Sequence, residues 1–291
     1  MISPLKVQAY AKVNLSLLIT GRRPDGYHLL DSHVVFSDIS DEISFVPSDN
    51  LSLLITGPFS QTLGNDNQNL VLKAAEALAS HSNVKPNVAI TLLKKIPVAA
   101  GLGGGSADAA ATLIGLNQLW DTGLSPKELM VIGRSLGADV PVCVFGRSAR
   151  VRGIGDQIEA FPIGIQPGLL LVNPGIELPT AEVFARRWGA FSEGNGRVSQ
   201  NMRQTETGVA WLSTLKNDLE KTAQKICPEI KEVLTALGAF ESCIAARLSG
   251  SGPTCFGIFK SRQIAAEVGD SIKRFHPSWW IQESELKNSC I

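Results

Sequence analysis

Pro97-Val98-Ala99-Ala100-Gly101-Leu102-Gly103-Gly104-Gly105-Ser106-Ala107-Asp108-Ala109-Ala110-Ala111 is the stretch that decides the fold. A glycine-rich turn runs directly into alanine-rich sequence, which predicts a loop followed by a helix over residues 105–119. Glycine lacks a Cβ, so such a loop adopts positive φ and lets a ligand approach the backbone closely. The helix behind it offers unbonded N–H groups and the positive end of its dipole. Together these make an anion site of the kind that takes phosphate. Ser106 stands where a hydroxyl reaches a phosphate oxygen or a bound magnesium ion; read plainly, it is also a good helix N-cap. The loop is not a P-loop, because Ser106 and Ala107 follow Gly105 where Lys and Ser/Thr are needed. Nor is it a dinucleotide fingerprint, since the sixth position from Gly101 is Ser106. That spacing argues against a nicotinamide-dependent oxidoreductase.

The surrounding chain is that of a soluble globular enzyme. It has 291 residues, 44% hydrophobic and 19% charged, enough for one large domain or two modest ones. Lys and Arg number 27 against 27 Asp and Glu, a balance that argues against binding driven by nucleic-acid phosphates. A local basic pocket remains compatible with it, and Lys94-Lys95 lie just before the loop. Five scattered cysteines without a C-x-x-C pair argue against a disulfide framework or zinc site and for a reducing, cytoplasmic setting. Neither a signal segment nor an apolar run long enough to span a membrane is expected.

Periodicity supplies the frame. Residues 6–20 read as a long strand whose alternation is clean around its middle, with Tyr10, Lys12, Asn14 and Ser16 on one face and Ala9, Ala11, Val13, Leu15 and Leu17 on the other. Residues 21–26 form a turn. Residues 28–46 read as a strand interrupted near 38–41, and 51–55 and 88–93 as further strands. Helices are expected over 69–79 and 125–136, the latter opened by Ser125-Pro126. Residues 141–145 and 149–152 read as a strand pair, and 169–172 as an apolar strand. A helix follows over 180–188, then a polar loop over 191–207. Beyond it, helices are expected at 217–225, 228–237 and 262–275, and strands at 244–248, 254–259 and 279–282. A second glycine turn, Ser249-Gly250-Ser251-Gly252-Pro253, separates two of those strands. Strands and helices mix without a βαβα rhythm, which predicts an α+β class, with a domain boundary near 161–168.

Three separated segments then line up with one family. Ala11-Lys12-Val13-Asn14-Leu15 with Asp25-Gly26-Tyr27-His28, the loop at 97–110, and residues 248–254 resemble the motifs of the GHMP kinase superfamily of galactokinase, homoserine kinase, mevalonate kinase and phosphomevalonate kinase. The Asp-Gly-Tyr-His segment and Gly137-Ala138-Asp139-Val140-Pro141 narrow the resemblance to the branch acting on 4-diphosphocytidyl-2-C-methyl-D-erythritol. The resemblance covers nearly the whole chain. It implies a ribosomal-S5-like N-terminal domain, 1–163, a ferredoxin-like C-terminal domain, 164–291, and a cleft between them. It also implies the reaction: ATP, with Mg2+, phosphorylates the 2-hydroxyl of that substrate in the non-mevalonate route to isoprenoids. The partner is then a small molecule bearing a cytidine diphosphate group, with no nucleic acid and no membrane; oligomeric state stays open. Another superfamily kinase, of mevalonate or homoserine type, or a member that binds without catalysis, is the alternative.

The resemblance also assigns residues. Lys12 and Asn14, which alone fit a solvent-facing strand surface, match the active-site lysine and a substrate contact. Asp139, otherwise an Asx-turn or helix-end residue, matches the catalytic base. A free aspartate titrates near ~3.9, far below an alcohol, so such a base orients the hydroxyl and takes its proton late in a loose transition state. Asp108 is a rival base, although a first-turn place in the helix fits dipole stabilisation better. Tyr27 and His28 match cytosine recognition by stacking and hydrogen bonding, with Phe184 closing the other side of the ring; Phe184 equally fits a helix core position. Thr180 matches a substrate contact and fits a helix cap. Residues 97–107 match the ATP-phosphate loop, and Ser106 is the candidate toward magnesium. Ala99 and Ala100 stand where some relatives carry glycine, which is tolerable where φ is negative; Ala107 stands where many carry a second serine.

Overall fold

The structure is a computed structural model describing residues 3–63, 68–196 and 206–290. Its chain forms two compact units. The first gathers Met1–Ala11, Ile39–Val98 and Gly103–Gly146; the second gathers Lys12–Asp38, Ala99–Leu102 and Arg147–Ile291. Two long strands, β1 (Leu5–Arg22) and β2 (His28–Pro47), pair with each other and contribute to both units. The turn that joins them is closed by Arg23 N–H to Tyr27 O at 2.8 Å and Gly26 N–H to Arg23 O at 3.0 Å.

In the first unit, β3 (Ser52–Thr56) runs parallel to β4 (Val88–Leu93), and β4 runs antiparallel to the C-terminal part of β2, from Glu42↔Leu93 to Pro47↔Val88. Four helices pack with this sheet: α1 (Leu70–Ser82), α2 (Gly104–Leu119), α3 (Pro126–Leu136) and α4 (Val140–Phe145). Their starts and stops follow local chemistry. Asn69 caps α1 by accepting from Val71 N–H at 2.9 Å. Ser125 and Glu128 form a reciprocal capping box at α3, with Pro126 in its first turn. Small residues let the helices sink in: a Cβ on Gly115 would meet Phe45 at 2.4 Å, and one on Gly133 would meet Val140 at 2.7 Å. Ile43, Phe45, Leu78, Ile90, Leu92, Leu113 and Leu116 form the apolar interior, each worth ~1.5–3 kcal/mol of burial.

In the second unit, β5 (Ala149–Gly153) and β6 (Gln157–Ala160) make an antiparallel pair, and β5 adds to β2 between Leu30↔Gly153 and Val34↔Ala149. β7 (Gly168–Asn173) is buried along its whole length. It is followed by α5 (Thr180–Ala185), α6 (Glu206–Thr214), α7 (Glu220–Ile226) and α8 (Glu229–Gly238). Then come β8 (Ala245–Leu248), β9 (Cys255–Phe259), α9 (Arg262–Phe275) and β10 (Trp280–Lys287). β10, β7, β9 and β8 lie side by side in an antiparallel sheet. Leu170, Val172, Ile230, Val233, Leu248, Phe259, Val268 and Ile272 lie in the core beneath α8 and α9. Among the described residues, no helix is long and apolar enough to cross a membrane.

Several expectations change. Residues 141–145 form α4, not a strand: β-branched sequence is overridden by packing against α2 and α3, and Gly146 at φ +60° ends the turn. β2 is not interrupted at 38–41, because its acids are satisfied where they stand. Asp38 accepts from Ser284 Oγ at 2.6 Å and Arg262 Nη1 at 2.6 Å, while Asp41 binds the end of β4. β10 also runs further than expected, and α6 begins at Glu206, inside the loop expected over 191–207. Residues 191–196 of that expected loop are neither helix nor strand, and residues 197–205 lie outside the described residues.

Candidate active site

The first strand carries the polar cluster of the second unit. Lys12, Asn14 and Ser16 are buried, as are Ala11, Val13 and Leu15, so β1 is covered on both faces rather than facing solvent. Alternation therefore sorts a polar interior from an apolar one. Lys12 Nζ donates to Asn14 Oδ1 at 2.9 Å, and Asn14 Nδ2 donates to Ser32 Oγ at 2.8 Å. Ser32 Oγ donates to Ser16 O at 2.5 Å. The cluster fixes the amide of Asn14 and holds the ammonium beside it.

The beginning of the glycine loop joins this cluster through the backbone. Lys12 N–H donates to Leu102 O at 2.8 Å, and Ser249 Oγ donates to Gly101 O at 3.0 Å. Thr254 N–H donates to Ala100 O at 3.1 Å, and Asn14 N–H reaches Ser249 Oγ at 3.3 Å. Gly101 has φ +74°, and a Cβ there would lie 2.5 Å from Ser249 O and 2.7 Å from Gly252 O. Only glycine fits that position. The three sequence motifs around Lys12, Gly101 and Ser249, far apart in the chain, thus share one hydrogen-bonded cluster. Asn217, which the sequence reading did not single out, ties the second glycine turn down through Leu248 O at 2.9 Å and Gly250 O at 2.8 Å. Ala99 has φ +51°, against the expectation of a negative angle. An alanine held there costs roughly 1–2 kcal/mol, so the turn overrides the residue's preference.

Beside that cluster lie the side chains expected to meet a base. His28 and Phe184 stand with ring centroids 5.5 Å apart, tilted by 42°. Phe184, on α5, is partly buried and packs against the core, the plainer of its two expected roles. Thr180 Oγ1 lies 2.8 Å from Ser251 Oγ, linking the start of α5 to the glycine turn. Tyr27 is 63% exposed, and its N–H donates to Asp25 Oδ1 at 3.2 Å. The His28 imidazole titrates below its ordinary value, first because it is partly buried, then because Arg22 and Arg187 are near. It is neutral at pH 7.

In the first unit, the loop becomes helix. Gly103, at φ +63°, is the N-cap of α2, so Ser106 sits in the first turn and is not the cap. Asp108 falls beyond that turn, which removes the dipole reading. It is buried on the inner face, where Lys94 Nζ donates to Asp108 Oδ2 at 2.6 Å and to Asp41 Oδ2 at 2.5 Å. Asp41 Oδ1 accepts from Lys95 N–H at 2.5 Å and Ile96 N–H at 2.9 Å. Lys94 therefore belongs to a closed ionic triad, not to a basic pocket. Burial is the main force pushing Asp108 up, to about 7; Lys94 opposes it and Asp41 reinforces it. Burial works against the Lys94 charge, but the two carboxylates outweigh it and hold the ammonium above its usual range. Removing one member of such a buried ionic group costs roughly 3–5 kcal/mol. Sequence reasoning missed Asp41 and Lys94, because neither is near the other or in a motif. Asp139 is the N-cap residue of α4, two residues after Gly137, where a Cβ would come 3.9 Å from Ser106 Oγ.

Among the described residues, no group of three or more His, Cys, Asp or Glu could cage a metal ion. Magnesium usually takes one or two protein ligands together with substrate phosphates and waters. The Ser106 hydroxyl, in the first turn of α2, fits that sparse donor set.

Known proteins give this arrangement its class. Residues 69–147 match the GHMP kinases N terminal domain, and residues 198–278 match the GHMP kinases C terminal family. A homoserine kinase from Cytophaga hutchinsonii shares the fold, with TM-score 0.74 at 19% identity over 100% of this chain and 97% of the other. The class is thus that of the GHMP small-molecule kinases, in which ATP is the phosphoryl donor. Finer resemblance is to a 4-diphosphocytidyl-2-C-methyl-D-erythritol kinase of Rhodospirillum rubrum, 44% identical over 96% of this chain and 91% of that protein. One from Paramagnetospirillum magneticum is 42% identical over 98% and 99%. A crystal structure of a 4-(cytidine 5'-diphospho)-2C-methyl-D-erythritol kinase superposes with TM-score 0.80 at 29% identity, covering 97% and 98%. The chain belongs to the 4-diphosphocytidyl-2-C-methyl-D-erythritol kinase family.

Proposed function

We propose that the protein transfers the γ-phosphoryl group of ATP to the 2-hydroxyl of 4-diphosphocytidyl-2-C-methyl-D-erythritol, a step toward isoprenoid precursors. One observation carries the residue assignment: Lys12 and Asn14, Gly101 and Leu102, and Ser249 are tied into a single cluster by backbone and side-chain hydrogen bonds. In this reading residues 97–107 cradle the nucleotide phosphates through backbone N–H groups and the start of α2. Gly101 makes the turn, and Ser106 is the hydroxyl that would hold a magnesium ion. Bound with the nucleotide, that ion supplies charge neutralisation on the phosphate oxygens.

Lys12 offers its charge to the transferred group and is aimed by Asn14. Asn14 is also a substrate contact. Asp139 orients the attacking hydroxyl and takes its proton as the new P–O bond forms. His28 hydrogen-bonds the cytosine edge as a neutral imidazole, Phe184 and Tyr27 stack on the ring, and Thr180, paired to Ser251, contacts the substrate. A neutral imidazole offers one donor and one acceptor, which suits a base edge carrying both.

In the same reading the GHMP N- and C-terminal domains meet near 163/164 in sequence; the first compact unit lies wholly before that point, while the second draws on both sides of it. None of the five cysteines is joined in a disulfide, which suits a reducing cytoplasm. The test is coupled ADP release with the cytidyl substrate, mevalonate and homoserine in parallel. Turnover of the cytidyl substrate alone is expected. Preference for either other alcohol would overturn the assignment.

A further inference from the structure

We propose that Asp108, acting through Lys94, is a positioning residue that sets the phosphate loop in its nucleotide-binding shape. This rests on the reading of residues 97–107 as the ATP-phosphate loop. The loop leaves the sheet at the end of β4 and becomes α2 at Gly104. Both exits are held by one buried ammonium. On the strand side, Asp41 binds Lys94 Nζ and also the Lys95 and Ile96 N–H groups. On the helix side, Asp108 binds the same Nζ.

The triad also touches the loop directly. A Cβ on Gly104 would stand 3.1 Å from Lys94 Nζ and 3.3 Å from Ile96, so the first helical residue rests on the ammonium. The group reaches no solvent: Lys94 and Asp108 are both 2% exposed and Asp41 is 0% exposed. Asp108 Oδ1 has no hydrogen-bond partner among the described residues. A plain packing role does not call for a second carboxylate here, since Asp41 alone neutralises Lys94. What Asp108 adds is the tie from Lys94 to α2. Without it the helix start is free to turn about the loop, and its N–H groups no longer converge on the phosphates.

The experiment compares Asp108→Ala, Asp108→Asn and Leu78→Ala. Asp108→Ala leaves Lys94 paired with Asp41 and cuts only the tie to α2. The amide oxygen of Asp108→Asn still accepts from Lys94. Leu78→Ala lowers stability from the α1 core without touching the triad. Asp108→Ala should raise KM for ATP at least tenfold, with KM for the cytidyl substrate within twofold and kcat within threefold. Asp108→Asn should restore KM for ATP to within threefold of the parent. Leu78→Ala, with its lower Tm, should leave KM for ATP within twofold. Calorimetric binding of ADP should follow the same order.

The proposal is overturned if Asp108→Ala binds ADP within twofold of the parent, if both KM values rise together, or if Leu78→Ala shows the same ATP defect. If Asp108→Ala does not fold, Asp108→Ser, whose hydroxyl is too short to bridge to Nζ, takes its place under the same criteria. Gly105→Val tests the loop itself. If that variant binds ADP normally, the loop reading fails. If it does not bind while Asp108→Ala does, only the positioning role fails.

Discussion

The proposed phosphate loop and the proposed base-binding face are built from opposite materials. At the loop, the protein presents backbone: Gly101 and Gly103 at positive φ, an open helix start, and buried bonds behind them. At the base face it presents side chains: the His28 and Phe184 rings and the Thr180 hydroxyl, all at least partly open to solvent. Phosphate is the same on every nucleotide, so its receptor needs fixed N–H groups and no side-chain variety. A base must be told from other alcohols' substituents, and only side chains do that. In that reading the loop should be intolerant of added side chains. The base face should be tolerant in fold and sensitive in specificity.

The largest expected effect belongs to neither side, and so isolates chemistry from binding. Asp139→Asn keeps the shape of the acid at the start of α4 and removes its charge. kcat should fall by roughly 10²–10⁴, the range for a positioned acid or base. Both KM values should move little, because the lost interaction acts in the transition state. Single-turnover transfer at saturating ATP and substrate is the measurement; a rate within threefold of the parent would remove Asp139 from the role.

Next comes the loop. Gly105 is exposed, lies outside the positive-φ set, and has only Leu70 at 3.4 Å from a built Cβ. Valine therefore fits the fold there and obstructs only what approaches from outside. Gly105→Val should weaken ADP binding by at least about 100-fold, since it denies a charged ligand several N–H contacts worth ~1.5–3 kcal/mol each. Its Tm should stay within a few degrees of the parent. Gly104→Val would answer less cleanly, because its side chain would press on Lys94.

The base face should answer more mildly. Phe184→Ala and His28→Ala should each raise KM for the cytidyl substrate by roughly 5- to 150-fold, the loss of one stacking or edge contact of ~1–3 kcal/mol. KM for ATP should stay put in both. Equal losses toward ATP and substrate would erase the division between the two regions.

The same contrast explains what could be read from the chain. Backbone sites advertise themselves through glycine, so the loop, its helix and the second glycine turn were legible. So was β1, because alternation around its middle placed Lys12 and Asn14 together on one face. Its burial on both faces was not legible, because covering comes from distant segments. α4 was misread because Val140, Val142 and Val144 favour strand locally, while packing against α2 and α3 decides otherwise. The triad was invisible for a similar reason. Asp41 falls where the sequence suggests a strand interruption and Lys94 where it suggests a local basic pocket, and only the pairing of β2 with β4 brings them together. Ala99 is the case where a residue's own preference misleads: its φ is set by the turn, not by its side chain.

The smallest effect sharpens the comparison at the base face through pH. Partial burial, and then the nearby Arg22 and Arg187 charges, hold His28 below the ordinary 6.5. The ring is therefore neutral throughout pH 7–8, and KM for the cytidyl substrate should be flat there. As pH falls through the lowered value, the ring gains a proton and loses its acceptor. KM for that substrate should then rise by severalfold, while KM for ATP, whose site is backbone, follows a different profile. Stability carries the same sign. A depressed pKa means the unfolded chain binds the proton first, so the contribution present above 6.5 is lost as pH falls below it. His28→Gln keeps hydrogen-bonding capacity without titrating, so it should flatten the low-pH rise in KM while leaving the pH 7.5 value within about tenfold, the loss of no more than ~1.4 kcal/mol. An inflection at or above pH 7, or a rise that persists in His28→Gln, would show that another group governs base binding and that the His28 ring is not the acceptor.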